Sequence, residues 1–240
     1  LDYIAIRGLP LTPDVDLSDT GGVAEALANL VREGVVSRYD AGLDPVFAIS
    51  DDRQHEAGFY RNTVIHFFIT RAIVEVALVK MGEEDATDVS AATWDYCKQL
   101  RDLLKYEFFF PSTREFADSV EREVAIVRPN WEAERDDFDA KQTLRILRES
   151  KLHLAHRVIG PFLEAYEVVA LLLAAREPSR PIDRDSFIAE CLGVGRQWWL
   201  QGKLHSPESI SKELFSGALQ LAGNRGLIEY SDLLKRPVDT

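Results

Sequence analysis

The 240-residue sequence is short of sulfur, short of surplus positive charge and without a long apolar run, and each shortage excludes a class of protein. Its one methionine is Met81, and it opens with Leu1 followed by the apolar run Tyr3-Ile4-Ala5-Ile6. The expectation is a chain cut or processed from something longer, so that any function read here can belong to a missing partner domain. The two cysteines, Cys97 and Cys191, fall in different helical segments and are expected to be free, mostly buried thiols in a cytosolic protein, because paired cysteines are rare in reducing compartments. No stretch reaches the about 18 apolar residues that a spanning helix needs. Val64–Val79 is interrupted by His66, Arg71 and Glu75, and Val158–Ala175 by Glu164 and Glu167. The N-terminus lacks the basic-then-apolar pattern of a signal peptide. With 28 Lys+Arg against 40 Asp+Glu and a net charge of -12, a broad nucleic-acid footprint is disfavoured.

What is present is a folded composition, 46% hydrophobic and 28% charged. At this length roughly 70–75% of the extended surface can be buried, enough for one large core or two modest ones. Residues 1–50 read as a winged-helix-like unit. Asp19-Thr20-Gly21-Gly22 opens a helix through Glu33 with apolar residues at helical spacing, and Gly34 stops it. Val35–Tyr39 and Pro45–Ile49 then flank a Gly-containing five-residue loop, as in a β-hairpin. Thr12–Ser18 is a candidate for part of the first half of such a unit.

Residues 51–240 read as a multi-helical domain, with a possible subdivision near 176–181. The expected helices are a long one containing Phe59–Met81, one capped by Asp88 or Ser90, and one over Thr113–Val127 ended by Pro129. An acidic connector follows, then Ala140–Ala175 interrupted near Gly160-Pro161, because proline removes a backbone donor and clashes with the preceding turn. Asp183–Gln201 and Pro207–Asn224 complete the set. The fold class is mainly α, a multi-helical bundle with one small hairpin.

Tyr60-Arg61-Asn62-Thr63-Val64-Ile65-His66 is the most unusual stretch. From Val64 to Val79 the pattern is that of a helix buried on every side, yet its N-terminal pole carries Tyr60, Arg61, Asn62 and His66. Asn62 and His66 are four apart and would share a face, where each unsatisfied polar group costs about 1–3 kcal/mol. These residues therefore either satisfy neighbouring backbone and hold the helix start, or form an interdomain contact, or hold an anion between Arg61 and the helix N-terminus. Arg71 and Glu75, also four apart, are expected to form a buried ion pair.

Lys141, Arg145 and Arg148 share a helical stripe with Lys151 at its edge. This is either a patch for phosphate or anionic lipid, or a solvated face paired with the acidic connector. Trp198 and Trp199 are adjacent on a helix, so one can be exposed to a partner or lipid, with Trp199 the candidate; otherwise both are half-buried at a domain seam. Metal chemistry finds little support, since Glu149 and His153 have the wrong spacing for a di-metal bundle and His55-Glu56 lacks a second histidine. There is no Gly-x-Ser-x-Gly, and Gly193-Val-Gly195 does not open a dinucleotide loop. No metal and no cofactor is expected.

The block His55-Glu-Ala-Gly-Phe-Tyr-Arg-Asn-Thr-Val-Ile-His66-Phe-Phe resembles the Tyr-Arg-Asn-x-x-x-His segment of bacterial glycerol-3-phosphate acyltransferases, in the C-terminal region beyond their catalytic domain. Asp51-Asp-Arg-Gln-His55 looks like the lead-in of the actinobacterial branch. Leu100–Phe110, Phe162-Leu-Glu-Ala-Tyr166 and Lys212-Glu-Leu-Phe-Ser216 are similar to later segments, so the resemblance covers nearly the whole chain. It implies a parent that transfers a fatty acyl group from a thioester carrier to the sn-1 hydroxyl of glycerol 3-phosphate, in the cytoplasm at the inner face of the cell membrane. The family's chemistry uses His-x-x-x-x-Asp, the histidine as general base and the aspartate orienting it. Five residues after the histidines of this chain stand Tyr60, Arg71, Val158, Pro161 and Ile210, none of them aspartate.

The leading expectation is thus a non-catalytic helical C-terminal domain that supports or docks on an absent catalytic acyltransferase domain of the same polypeptide. One rival is a winged-helix regulator with a helical ligand-binding body, against which stands a candidate recognition helix with Arg32 as its one basic residue. The other is a peripheral lipid-binding module using Lys141, Arg145, Arg148 and Trp199.

Overall fold

The structure is a computed structural model and describes residues 2–10, 20–84, 88–130, 145, 147, 156–177 and 181–229. Among them are nine α-helices and one two-stranded sheet, in agreement with the mainly α expectation. Helix α1 (Asp2–Arg7) and α2 (Gly21–Arg32) precede the hairpin of β1 (Ser37–Tyr39) and β2 (Val46–Ala48). The strands are antiparallel, with Ser37 opposite Ala48 and Tyr39 opposite Val46, and are shorter than expected. Gly34, at φ +74, ends α2: its N–H and that of Val35 turn back onto the carbonyls of Val31 and Leu30. Thr12–Ser18, the candidate for part of the first half of a winged-helix unit, lies outside the described residues.

The body begins with α3 (Gln54–Val64) and α4 (Ile69–Glu83), which replace the single long helix expected there. A 3-10 turn, Ile65–Phe67, separates them. Thr63, Val64 and Ile65 are three β-branched residues in a row, each with restricted side-chain rotation in a helix, and the helix gives way there. The break buries Ile65 while leaving Val64 and His66 exposed.

The next helices are set by local caps. Asp88 accepts from the Ala91 N–H at 2.8 Å and opens α5 (Val89–Leu103). Ser112 and Glu115 form a reciprocal capping box at α6 (Thr113–Val127). Helix α7 (His156–Ala174) contains Pro161 and is not interrupted by it, contrary to expectation. The hydrogen bond that the ring forfeits would have ended on the carbonyl of Arg157, a solvent-exposed residue, near the start of the described helix. Asp183 and Ser211 cap α8 (Arg184–Leu200) and α9 (Lys212–Asn224), and a separate 3-10 turn, Pro207–Ser209, stands where α9 was expected to start.

Two apolar clusters form the core. One gathers α4, α5, α6 and the first part of α7 around Ile73, Leu78, Phe116 and Ile159. The other joins the rest of α7 to α8 and α9 around Val168, Phe187, Phe215 and Leu219. Helix α7 runs through both. Cys97 and Cys191 are buried and unpaired, and burial pushes both thiols up to about 12, as inert core groups.

The expected Arg71–Glu75 pair is present, Nε to Oε1 at 2.8 Å, with both side chains about 1% exposed. It belongs to a larger network. Glu123 of α6, fully buried, receives Arg7 at 2.6 Å and the Tyr3 hydroxyl at 3.1 Å, with an Arg71 nitrogen 3.9 Å away. Tyr3 also stacks on Phe68, 5.5 Å between ring centroids. Through these contacts α1 is part of the helical body. Burial raises the Glu123 carboxyl above the usual 4.5, outweighing the pull of Arg7, the Tyr3 hydroxyl and Arg71.

Glu123→Gln, which keeps the shape and hydrogen-bonding capacity of the side chain, should cost less at neutral pH than Arg71→Met, which takes from the buried Glu75 carboxylate the guanidinium at 2.8 Å and should cost about 3 kcal/mol or more. The folded chain holds the Glu123 proton more tightly than the unfolded one, so its contribution to stability declines as pH rises from 4.5 through the raised value. Below that window the capping carboxylates Glu115 and Asp183, held below their usual range by their serine partners, lose their contribution as pH falls. Urea unfolding at several pH values should show a weaker decline above pH 4.5 in Glu123→Gln. A larger loss in Glu123→Gln than in Arg71→Met would contradict this assignment.

Candidate functional site

Helix α3 lies on the surface, and Tyr60, Asn62 and His66 are all exposed. The expectation that these polar groups are buried fails for all three: Tyr60 and Asn62 stand on the solvent side of α3, and His66 stands in the 3-10 turn that follows it. Phe59 is 69% and Tyr60 52% exposed, their rings 5.9 Å apart edge to face, and Val64 is exposed beside them. His66 lies against Phe67, 3.9 Å between centroids. The outward face thus combines aromatic, apolar and polar groups.

Arg61 is the member of the motif that turns inward. Its Nη2 and Nη1 meet the two carboxylate oxygens of Glu208 at 2.7 and 3.2 Å, a bidentate fork. Its Nη2 and Nε also donate to Asn62 Oδ1 at 3.0 and 3.3 Å. The anion-binding option is corrected accordingly: α3 starts at Gln54, so Arg61 lies in the last turn, and its charge is taken up by Glu208. Gly58, one helical turn earlier and buried, permits this approach, since a Cβ there would overlap the Glu208 carboxylate.

The turn that carries Glu208 is itself built on one carboxylate. Glu164 of α7 accepts from the backbone N–H of His205 at 2.8 Å and of Ser206 at 3.3 Å, and from the Ser209 hydroxyl. It also faces His205 Nδ1 at 2.9 Å. Ser206 Oγ accepts the Glu208 N–H at 3.3 Å. Serine, histidine and acid are here adjacent, but both the serine and the histidine address the carboxylate, and the serine does not address the imidazole. A nucleophile activated by a base needs the opposite arrangement. The cluster orders a turn.

Sequence reasoning missed Gly58, Glu164 and Glu208. Gly58 carried a signal, since a glycine inside a helix costs about 1 kcal/mol relative to alanine and implies a packing reason. Of the proposed basic patch, Lys141, Arg148 and Lys151 lie outside the described residues, and Arg145 is exposed. Trp198 and Trp199 are both half-buried against the second core cluster, so neither is a free surface anchor. Among the described residues no group of three or more His, Cys, Asp or Glu is placed to hold a metal. A separate cleft of about 420 Å³ between α7 and α9 is walled by Val169, Leu173, Ala218 and Leu221, and none of the candidate site residues lines it.

The family described as the glycerol-3-phosphate acyltransferase C-terminal region matches residues 1–231. Proteins named putative acyltransferase plsB1 from Mycobacterium bovis and from two strains of Mycobacterium tuberculosis are 40% identical over 232 residues, 96% of this chain. The match takes in 37% of each relative, so the chain spans little over a third of the length of these curated relatives. No solved structure matches the chain. On the family match over nearly its whole length, the chain belongs to the family of glycerol-3-phosphate acyltransferase C-terminal regions.

Proposed function

We propose that this chain is the non-catalytic helical part of an enzyme that acylates the sn-1 hydroxyl of glycerol 3-phosphate, and that it supports the catalytic part by docking through the outward face of α3. The observation that carries the docking is the surface formed by Phe59, Tyr60, Asn62 and Val64 of α3 and His66 of the turn that follows it, all exposed while the inward side of α3 is clamped. Exposed aromatic and apolar groups rimmed by polar ones are the composition of interface hot spots. The relatives named as acyltransferases are more than twice as long as the match, which leaves chain outside it to cover this face. The exposed hairpin residues Tyr39, Leu43, Val46 and Phe47 form a second area open to the same partner.

The absence of His-x-x-x-x-Asp from the sequence and the carboxylate-centred arrangement at Glu164 both support a non-catalytic role. Under this reading the parent works at the inner face of the cell membrane as a peripheral protein. No described helix is long and apolar enough to cross a membrane. A net charge of -12 weighs against direct attachment of this chain to anionic lipid.

Two measurements test the reading. The isolated chain, given an acyl thioester and radiolabelled glycerol 3-phosphate, should form no labelled lipid; product formation would refute the non-catalytic assignment. In the full-length protein, Tyr60→Ala or His66→Ala should reduce turnover about tenfold, the effect of removing one interface hot spot. Each should leave the melting temperature of the isolated chain unchanged, because both side chains face solvent there. Full turnover in both variants would remove α3 from the docking surface.

A further inference from the structure

We infer that Glu208, and Glu164 behind it, are positioning residues for the outward face of α3. They set where Tyr60, Asn62 and His66 stand without touching anything that face meets. Helix α3 is otherwise weakly held. Its principal neighbour distant in sequence is the Pro207–Ser209 turn, and of its described residues Gly58 alone is buried. Three features make that attachment directional.

The Arg61–Glu208 fork uses both carboxylate oxygens, so it fixes the rotation of α3 about its axis as well as its distance from the body. Gly58 lets the carboxylate approach the helix surface one turn before Arg61, which fixes how closely α3 approaches the turn. The turn is rigid in its own right, because Glu164 ties His205, Ser206 and Ser209 to α7, the helix that runs through both core clusters. The path from core to surface is then α7, Glu164, the 205–209 turn, Glu208, Arg61, and through the Arg61–Asn62 hydrogen bonds to the exposed face itself.

This brace exists whether or not the face docks on a catalytic part; its relevance to turnover rests on the proposed docking. The test is hydrogen exchange, measured peptide by peptide on the 240-residue chain. Glu208→Gln should speed exchange of the α3 amides about tenfold and leave α4 to α9 unchanged, as expected for local opening. Combining Arg61→Glu with Glu208→Arg should restore slow exchange by reversing the pair.

Gly58→Ala supplies an opposed control. Alanine's helix propensity alone predicts slower exchange in α3, whereas displacement of the Glu208 carboxylate predicts faster exchange. Unchanged α3 exchange in Glu208→Gln, slower exchange in Gly58→Ala, or loosening spread through the whole chain would each overturn the inference. In the full-length protein Glu208→Gln should also lower turnover, with recovery in the charge-reversed pair. Local opening without any loss of turnover would keep the brace and dismiss the docking.

Discussion

The burial of one guanidinium governs the arrangement of this protein. Arg71 stands in a helix whose neighbours Ala72, Ile73 and Val74 are all removed from solvent, so its charge has no route to water. A cation in that position must be met by anions inside the fold. Glu75 supplies one from the same helix and Glu123 another from α6, which fixes α6 against α4. Two carboxylates beside one cation leave an excess of negative charge, and Arg7, with the Tyr3 hydroxyl, brings α1 in to offset it. A six-residue helix too short to be stable alone is thereby made part of the core.

The same logic, a carboxylate ordering segments far apart in sequence, recurs at the surface. Glu164 leaves α7 to collect the donors of the 205–209 turn, and Glu208 leaves that turn to receive Arg61, 147 residues earlier. Helix α7 gives this chain of contacts its stiffness, because its first half packs in one apolar cluster and its second half in the other. The outcome is a surface helix with one clamped side and one open side. The open side carries Tyr60, Asn62 and His66 of the segment that resembles the family's Tyr-Arg-Asn-x-x-x-His block, and these side chains are free to meet a docking partner.

The features legible in the sequence are those with local causes. Gly34 ends α2, Ser112 and Glu115 begin α6, Asp183 begins α8, and Arg71 finds Glu75 one turn away. Each depends on residues within four positions of one another. The illegible features depend on distance or on competition. The partners of Arg61 and Arg7 lie more than a hundred residues off, and no spacing rule connects them. The break at Ile65–Phe67 lay behind an apolar pattern that reads as continuous helix, although three consecutive β-branched residues marked it. Pro161 shows the reverse error: a helix breaker is tolerated where the bond it loses ends on an exposed residue. At the candidate site the sequence singled out the segment from Tyr60 to His66, but it did not show that Arg61 and its neighbours face opposite ways.

The proposed docking requires that the outward face of α3 be covered when this chain is part of a longer polypeptide with the proposed catalytic part. Hydroxyl-radical footprinting reads this directly, since aromatic side chains are oxidised in proportion to their exposure. With Phe59 and Tyr60 as exposed as they are in this chain, the account predicts oxidation several-fold slower in the full-length protein than in the isolated one, with the buried Phe116 slow in both. Equal rates for Phe59 and Tyr60 in the two proteins would contradict it.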